Sequence, residues 1–195
     1  MTRKYIVVGL IFALLLLVPP IANVTDDSFL VSMVTRFVIY ALAAVSLDLV
    51  LGYGALISFG HAAFFGLGGY VVSIIGFHMD MVDPLFGFVE TNSALIIWPL
   101  AMLVTAGLGL IIGALSLRTS GVQFIMITLA FAQMLYFVLV GLVQYGGDDG
   151  MLITYRNELP FIDLENDTVF YYLCVFFLIV WVWFCRRLIN SPFGM

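Results

Sequence analysis

The stretch Leu51-Gly52-Tyr53-Gly54-Ala55-Leu56-Ile57-Ser58-Phe59-Gly60-His61-Ala62-Ala63-Phe64-Phe65-Gly66-Leu67-Gly68-Gly69-Tyr70 decides how this chain is read. It is apolar enough for membrane depth, yet it carries six glycines, a serine and a histidine. Each glycine weakens a helix by roughly 1 kcal/mol against alanine. In hydrocarbon, loosened backbone is tolerated only where protein covers it or where it lines a cavity. A broken or re-entrant segment near residues 52–62 is therefore expected, and the rest of the chain is read around it.

The surroundings are membrane-like throughout. Of 195 residues, 64% are hydrophobic and 10% are charged, against about 25% charged in soluble domains. Apolar runs of roughly 20 residues recur along the chain, the length of a membrane-crossing helix. The alternating ten-residue segments of a β-barrel are missing. The fold class is an all-α, polytopic transmembrane helical bundle of about six spans, over 5–18, 29–51, 62–77, 93–117, 122–143 and 168–184. The first run is read as a retained helix rather than a cleaved leader, because no small-x-small cleavage pattern follows Pro19-Pro20. Cys174 and Cys185 share one apolar run and read as small core side chains rather than a disulfide.

Six spans put the loops on alternate sides, and the charges sort with them. One side receives Arg3, Lys4, Arg118, Arg186 and Arg187. The other receives Asp26, Asp27, Asp80, Asp83, Glu90, Asp148, Asp149, Glu158, Asp163, Glu165 and Asp167, with Arg156 as its one base. The basic side is the cytoplasmic one by the positive-inside rule, which places the N-terminus in the cytoplasm. The net charge of −5 does not suit a nucleic-acid partner. No linker or low-complexity segment divides the chain, so residues 1–195 read as a single transmembrane domain.

Signatures of soluble enzymes are missing. There is no Gly-x-x-x-x-Gly-Lys-Ser/Thr run to cradle ATP phosphates. His61 and His78 do not have a metal-ligand spacing. Ser58 lies three residues before His61, but no third group orients the histidine as a triad requires. No catalytic residue and no metal ligand is assigned. Arg36 and Asp48 are intramembrane charges separated by about 18 Å of helix, too far to pair; each is read as reaching toward its nearer interface. Gly60, Phe64 and Gly68 recur every four residues, as do Ser58, Ala62 and Gly66, a spacing that lets helices approach closely. Gln133 lies deep in the fifth span, equally suited to interhelical hydrogen bonding and to a pathway. Asn23-Val24-Thr25 and Asn166-Asp167-Thr168 are glycosylation sequons, taken as chance matches.

These residues resemble the permease subunits of branched-chain amino-acid ABC importers. The glycine-tyrosine turn Gly52-Tyr53, the core Ser58, Gly60, His61, Ala62, Ala63 and Phe64, and the tail Gly66, Gly68 and Tyr70 match that family's signature. A second block, Ser120-Gly121 through Thr128-Leu129-Ala130-Phe131-Ala132-Gln133-Met134, resembles its next motif. A third, Gly146-Gly147-Asp148-Asp149-Gly150, resembles its external loop. The blocks come in the family's order and cover most of residues 36–195. Two departures stand out. Ala55 occupies a position where relatives often have glycine. The closing run Ser191-Pro192-Phe193-Gly194 resembles the start of the ATPase-coupling loop, so the chain reads as truncated before or within that loop.

The resemblance implies a non-enzymatic transport subunit of a bacterial-type inner membrane. It would move branched-chain or related amino acids inward by alternating access, with a second homologous permease as partner. Two cytoplasmic ATPases would hold the ATP and Mg, so this chain itself would carry no cofactor, and an extracytoplasmic binding protein would deliver the substrate. Gly52, Ser58, Gly60, His61, Phe64, Gly66, Gly68, Thr128 and Gln133 are the candidate path or packing residues, with Gly146 to Gly150 as the external loop. The rival readings are a urea or short-amide ABC permease, a passive channel or secondary transporter, and a membrane-embedded assembly subunit.

Overall fold

The structure is a computed structural model that describes residues 2–25, 28–80, 93–151, 156–160 and 162–191. Asp26, Asp27, Asp83, Glu90 and the Pro192-Phe193-Gly194 run lie outside the described residues. Seven α-helices are described: α1 (Thr2–Leu16), α2 (Val18–Thr25), α3 (Ser28–Asp48), α4 (His61–Asp80), α5 (Ala94–Ser116), α6 (Val122–Val140) and α7 (Asp167–Ile189). Isolated β-bridges, Ser93 with Glu158 and Leu159 with Ile162, are the extended pairings found among the described residues. The fold is an all-α polytopic bundle.

Five segments are long and apolar enough to cross a membrane: Phe29–Tyr53, His61–His78, Ala94–Ser116, Val122–Val140 and Asp167–Ile189. The first of the six expected spans is a shorter apolar stretch, Val8–Ala22, and it is broken. Helix α1 stops at Leu16 and α2 restarts at Val18. Pro19 and Pro20 then fall in the first turn of α2, where a missing N–H leaves no intrahelical bond unmade.

The chain clusters into two compact units, Met1–Leu49 with Asp163–Met195, and Val50–Ile162. In the first, α3 packs along α7, and α2 packs on α3. Val18, Ala22, Val31, Val38, Tyr171, Val175 and Leu178 form its buried core. Tyr171 is 0% exposed, and its hydroxyl donates to the Leu15 carbonyl at 2.6 Å. The N–H that would meet that carbonyl one turn on belongs to Pro19, which has none. The tyrosine thus supplies, from 156 residues away, the donor that the proline removes. Tyr171→Phe keeps the ring and deletes this donor. It is expected to destabilise the unit by about 1–3 kcal/mol, the cost of a buried carbonyl left unpaired. A lower thermal midpoint in detergent is the readout; an unchanged midpoint refutes the compensation.

Helix α7 carries its own terminal chemistry. The Asn166 side chain accepts from the Thr168 N–H at 3.0 Å and caps the start. Arg186 and Arg187 occupy the last turn, where positive charge suits the helix dipole. The Arg187 guanidinium lies 5.6 Å from the centre of the Trp183 ring, a cation–π spacing. The Asn166-Asp167-Thr168 sequon is thus a helix cap in this fold.

In the second unit α4, α5 and α6 pack against one another. A methyl group added at Gly68 would lie 3.7 Å from Thr105 Oγ1, and one at Gly109 would lie 3.8 Å from the Phe64 ring. Position numbers rise on α4 as they fall on α5, so these helices run antiparallel. Gly60 meets Thr128 at the start of α4, and His78 meets Tyr145 at its end. Both numbers rise together, so α4 and α6 run parallel. The outward faces of α5 and α6 carry exposed Leu103, Leu110, Met126 and Phe137. In water such surfaces would drive aggregation; against lipid tails they are the expected covering.

Candidate functional site around the glycine-rich break

The break lies where the sequence puts it, and it is made in three steps. Beyond Asp48 the backbone widens into a π-helical turn, Leu49–Tyr53. The Leu56 N–H then bonds back to the Val50 carbonyl at 3.3 Å, closing the widened turn. Ala55 sits in the left-handed region at φ 52°, a conformation that costs a residue with a Cβ roughly 1–2 kcal/mol. This is the position at which the family resemblance marks a departure from glycine. Ala55→Gly is expected to stabilise the protein by about 1 kcal/mol by removing that strain. A raised unfolding midpoint checks it; a lowered one contradicts the strain.

After Ala55 the chain runs without regular structure to a turn at Phe59-Gly60. The Ser58 hydroxyl accepts from the Gly60 N–H at 3.3 Å, and the Gly60 carbonyl accepts from the Ala63 N–H at 3.1 Å. These bonds satisfy backbone groups that the start of α4 would otherwise leave open. His61, the first residue of α4, is half-buried. The segment is broken, as expected.

The close approach is at Gly60. It is buried, and an added Cβ would stand 3.0 Å from the Thr128 backbone oxygen and 3.5 Å from the Thr128 Cβ. Thr128 is buried too, and its hydroxyl donates to the Ile125 carbonyl of its own helix at 3.0 Å. Ser58, Gly60, Phe64, Ile112, Thr128 and Phe131 line a crevice of about 20 Å³ at this contact. That is room for one water, not for an amino acid. Two hydroxyl-bearing residues among aromatic and aliphatic ones make it amphiphilic, and no charged side chain lines it.

A larger groove of about 400 Å³ runs along α5 and α6 between Leu115, Ile127, Ala130, Phe131 and Met134. Only apolar side chains line it. It offers nothing to an ammonium or a carboxylate and suits a lipid chain.

The expected site residues divide cleanly. Ser58, Gly60, Phe64 and Thr128 come together at the crevice, and Gly68 packs on α5 beside Thr105. Gly52 is exposed in the π-helical turn. Gly66 is exposed with nothing within 4 Å of an added Cβ. Gln133 lies on an exposed side of α6 and does not line the crevice. Of the two small-residue rows, Gly60–Phe64–Gly68 is a packing face, whereas Ala62 and Gly66 of the other are exposed. Arg36 and Asp48 are exposed on α3.

Gly146 to Gly150 form a compact loop that follows one short 3-10 turn, Val143–Tyr145, and contains a second, Gly147–Asp149. Gly146, Gly147 and Gly150 have φ of 87°, 52° and 76°. Asp148 and Asp149 are exposed. Among the described residues, no group of three or more His, Cys, Asp or Glu is placed to hold a metal ion.

Sequence reasoning missed Thr105, Gly109 and Ile112, which supply the α5 side of the packing. Thr105 and Gly109 are themselves spaced by four, the same close-packing signal that was read on α4. Thr105 Oγ1 is buried without a hydrogen-bond partner among the described residues.

The crevice, the break and the loop all fall within one family match. Residues 29–195 match the family described as the permease component of the branched-chain amino acid transport system. No curated protein and no solved structure matches the chain. With five membrane-length helices and a family match over most of its length, this is an integral membrane protein of the branched-chain amino acid transport permease family.

Proposed function

We propose that this chain is the membrane subunit of an ABC importer for branched-chain or related amino acids. The carrying observation is the family match over residues 29–195, which spans the break where α4 begins against Thr128. The importer reading adds a second homologous permease, two cytoplasmic ATPases that bind ATP and Mg, and an extracytoplasmic binding protein. The cytoplasmic membrane is the proposed location, with the N-terminus inside. The sorting of Arg3, Lys4, Arg118, Arg186 and Arg187 away from the acidic loops supports that orientation.

Transport then works by alternating access. With room for one water, the crevice at Gly60 corresponds to a closed passage. Substrate passage requires α4 and α6 to part there, and the broken backbone before His61 provides the slack. The chain does no covalent chemistry in this scheme. Its side chains line, pack and hinge.

The test is uptake by cells or proteoliposomes carrying the chain with its ATPases, second permease and binding protein. ATP-dependent accumulation of leucine, isoleucine or valine is expected. ATP-independent flux would point instead to a channel or secondary transporter, and accumulation of urea to the short-amide branch.

A further inference from the structure

Helix α4 is tied at both ends. At one end Gly60 lies against the Thr128 backbone. At the other, His78 Nε2 and the Tyr145 hydroxyl lie 2.9 Å apart in a hydrogen bond. The two ties are 18 residues apart along α4, about 27 Å of helix, close to the hydrocarbon thickness of a bilayer. The second tie is also a ring cluster. Phe77 packs edge-on to His78 at 5.8 Å and to Tyr145 at 5.6 Å, and the His78 and Tyr145 rings are 5.7 Å apart.

Tyr145 is the residue immediately before Gly146, where the chain turns left-handed into the 146–150 loop. The loop's backbone bonds are local: Gly146 N–H to the Val143 carbonyl at 3.3 Å and Asp149 N–H to the Gly146 carbonyl at 3.1 Å. Such bonds hold a turn's shape but not its place. The Tyr145 side chain joins this turn to α4.

We infer that His78 and Tyr145 are positioning residues: their hydrogen bond seats the Gly146–Gly150 loop on the end of α4 and so sets how the transporter presents that loop to incoming substrate. The first half of the inference stands on geometry alone; the second rests on the transport reading above. Because α4 starts at the glycine-rich break, the same helix carries the crevice at one end and the loop at the other.

Two readouts on the full chain test it. Hydrogen exchange in lipid nanodiscs reads the seating. In Tyr145→Phe, which keeps the ring, the Gly146 and Asp149 amides should exchange about fivefold faster, the factor expected from losing one ordinary hydrogen bond. His78→Leu should do the same. His78→Gln, whose amide can still bond the hydroxyl, should exchange as the native chain does. If Tyr145→Phe does not fold, the leucine and glutamine pair decides alone. Unchanged exchange in the hydroxyl-less or leucine variant overturns the clasp.

Uptake by the complete assembly reads the positioning. Tyr145→Phe and His78→Leu should each raise the half-saturating concentration of loaded binding protein about fivefold with maximal rate kept, and His78→Gln should leave it as in the native chain. Equal losses of rate and expression, or faster exchange with unaltered half-saturation, overturn the positioning role. If the native assembly moves no amino acid, the transport reading fails while the exchange result still decides the clasp.

Discussion

Gly60→Ala is expected to cut amino-acid uptake about tenfold, while Gly66→Ala leaves it within about twofold, although both lie in the same glycine-rich stretch. The difference is where each residue faces. A methyl group at Gly60 would stand 3.0 Å from the Thr128 carbonyl oxygen. That oxygen belongs to the interior of α6, where the helix ladder holds it, so it cannot swing aside as a side chain would. The helices must separate by a few tenths of an ångström, and overpacking of this kind costs about 1–3 kcal/mol. At Gly66 an added methyl meets nothing within 4 Å; there alanine only firms the helix. Gly60→Leu should abolish uptake with the protein still inserted, because the larger side chain fills the crevice. The measurement is initial uptake rate normalised to membrane-inserted protein. Equal tolerance of alanine at 60 and 66 would remove the α4–α6 contact from the mechanism.

The second large effect is expected at Gly146. Its φ is 87°, and an added Cβ would run into the Gly150 carbonyl. Two costs therefore add. Left-handed backbone costs a residue with a Cβ about 1–2 kcal/mol, and the collision forbids the loop from closing at all. Gly146→Ala should open the Gly147–Asp149 turn and reduce uptake by about a hundredfold, the equivalent of roughly 3 kcal/mol. Gly113→Ala is the control. It is a helical glycine on α5 with nothing within 4 Å of its added Cβ, and it should gain up to about 1 kcal/mol of helix stability. Hydrogen exchange across the loop separates a local opening from a global failure to insert. Native-like exchange and uptake in Gly146→Ala would show that the left-handed turn is dispensable.

Much of the fold was legible because a membrane helix must satisfy its backbone within its own segment. Apolar length alone therefore marks α3 to α7, and glycine density alone marks the break before His61. The resemblance even flagged Ala55, whose positive φ explains why glycine is favoured there. The first span was less legible. Its apolar run looked continuous to Val18, yet the helix breaks at Leu17, just before Pro19 and Pro20, and the Leu15 carbonyl is paired by Tyr171 from the far end of the chain. The candidate site was legible in part. Ser58, Gly60, Phe64 and Thr128 were named and do meet; Gly66 and Gln133 were named with them and do not.

By itself, then, the sequence determined the helical class, the membrane setting, the place of the break and the family. These are encoded in local composition, periodicity and short motifs. Only the tertiary structure decided which glycines are contacts and which are merely small. A glycine has no side chain to reveal a direction, so its role depends on a neighbour 40 to 70 residues away, as Gly60 depends on the Thr128 backbone and Gly109 on the Phe64 ring. The same holds for the hydrogen bonds of Tyr171 with Leu15 and of His78 with Tyr145. Each joins residues whose local sequence carries no trace of the other, and packing alone brings them within reach.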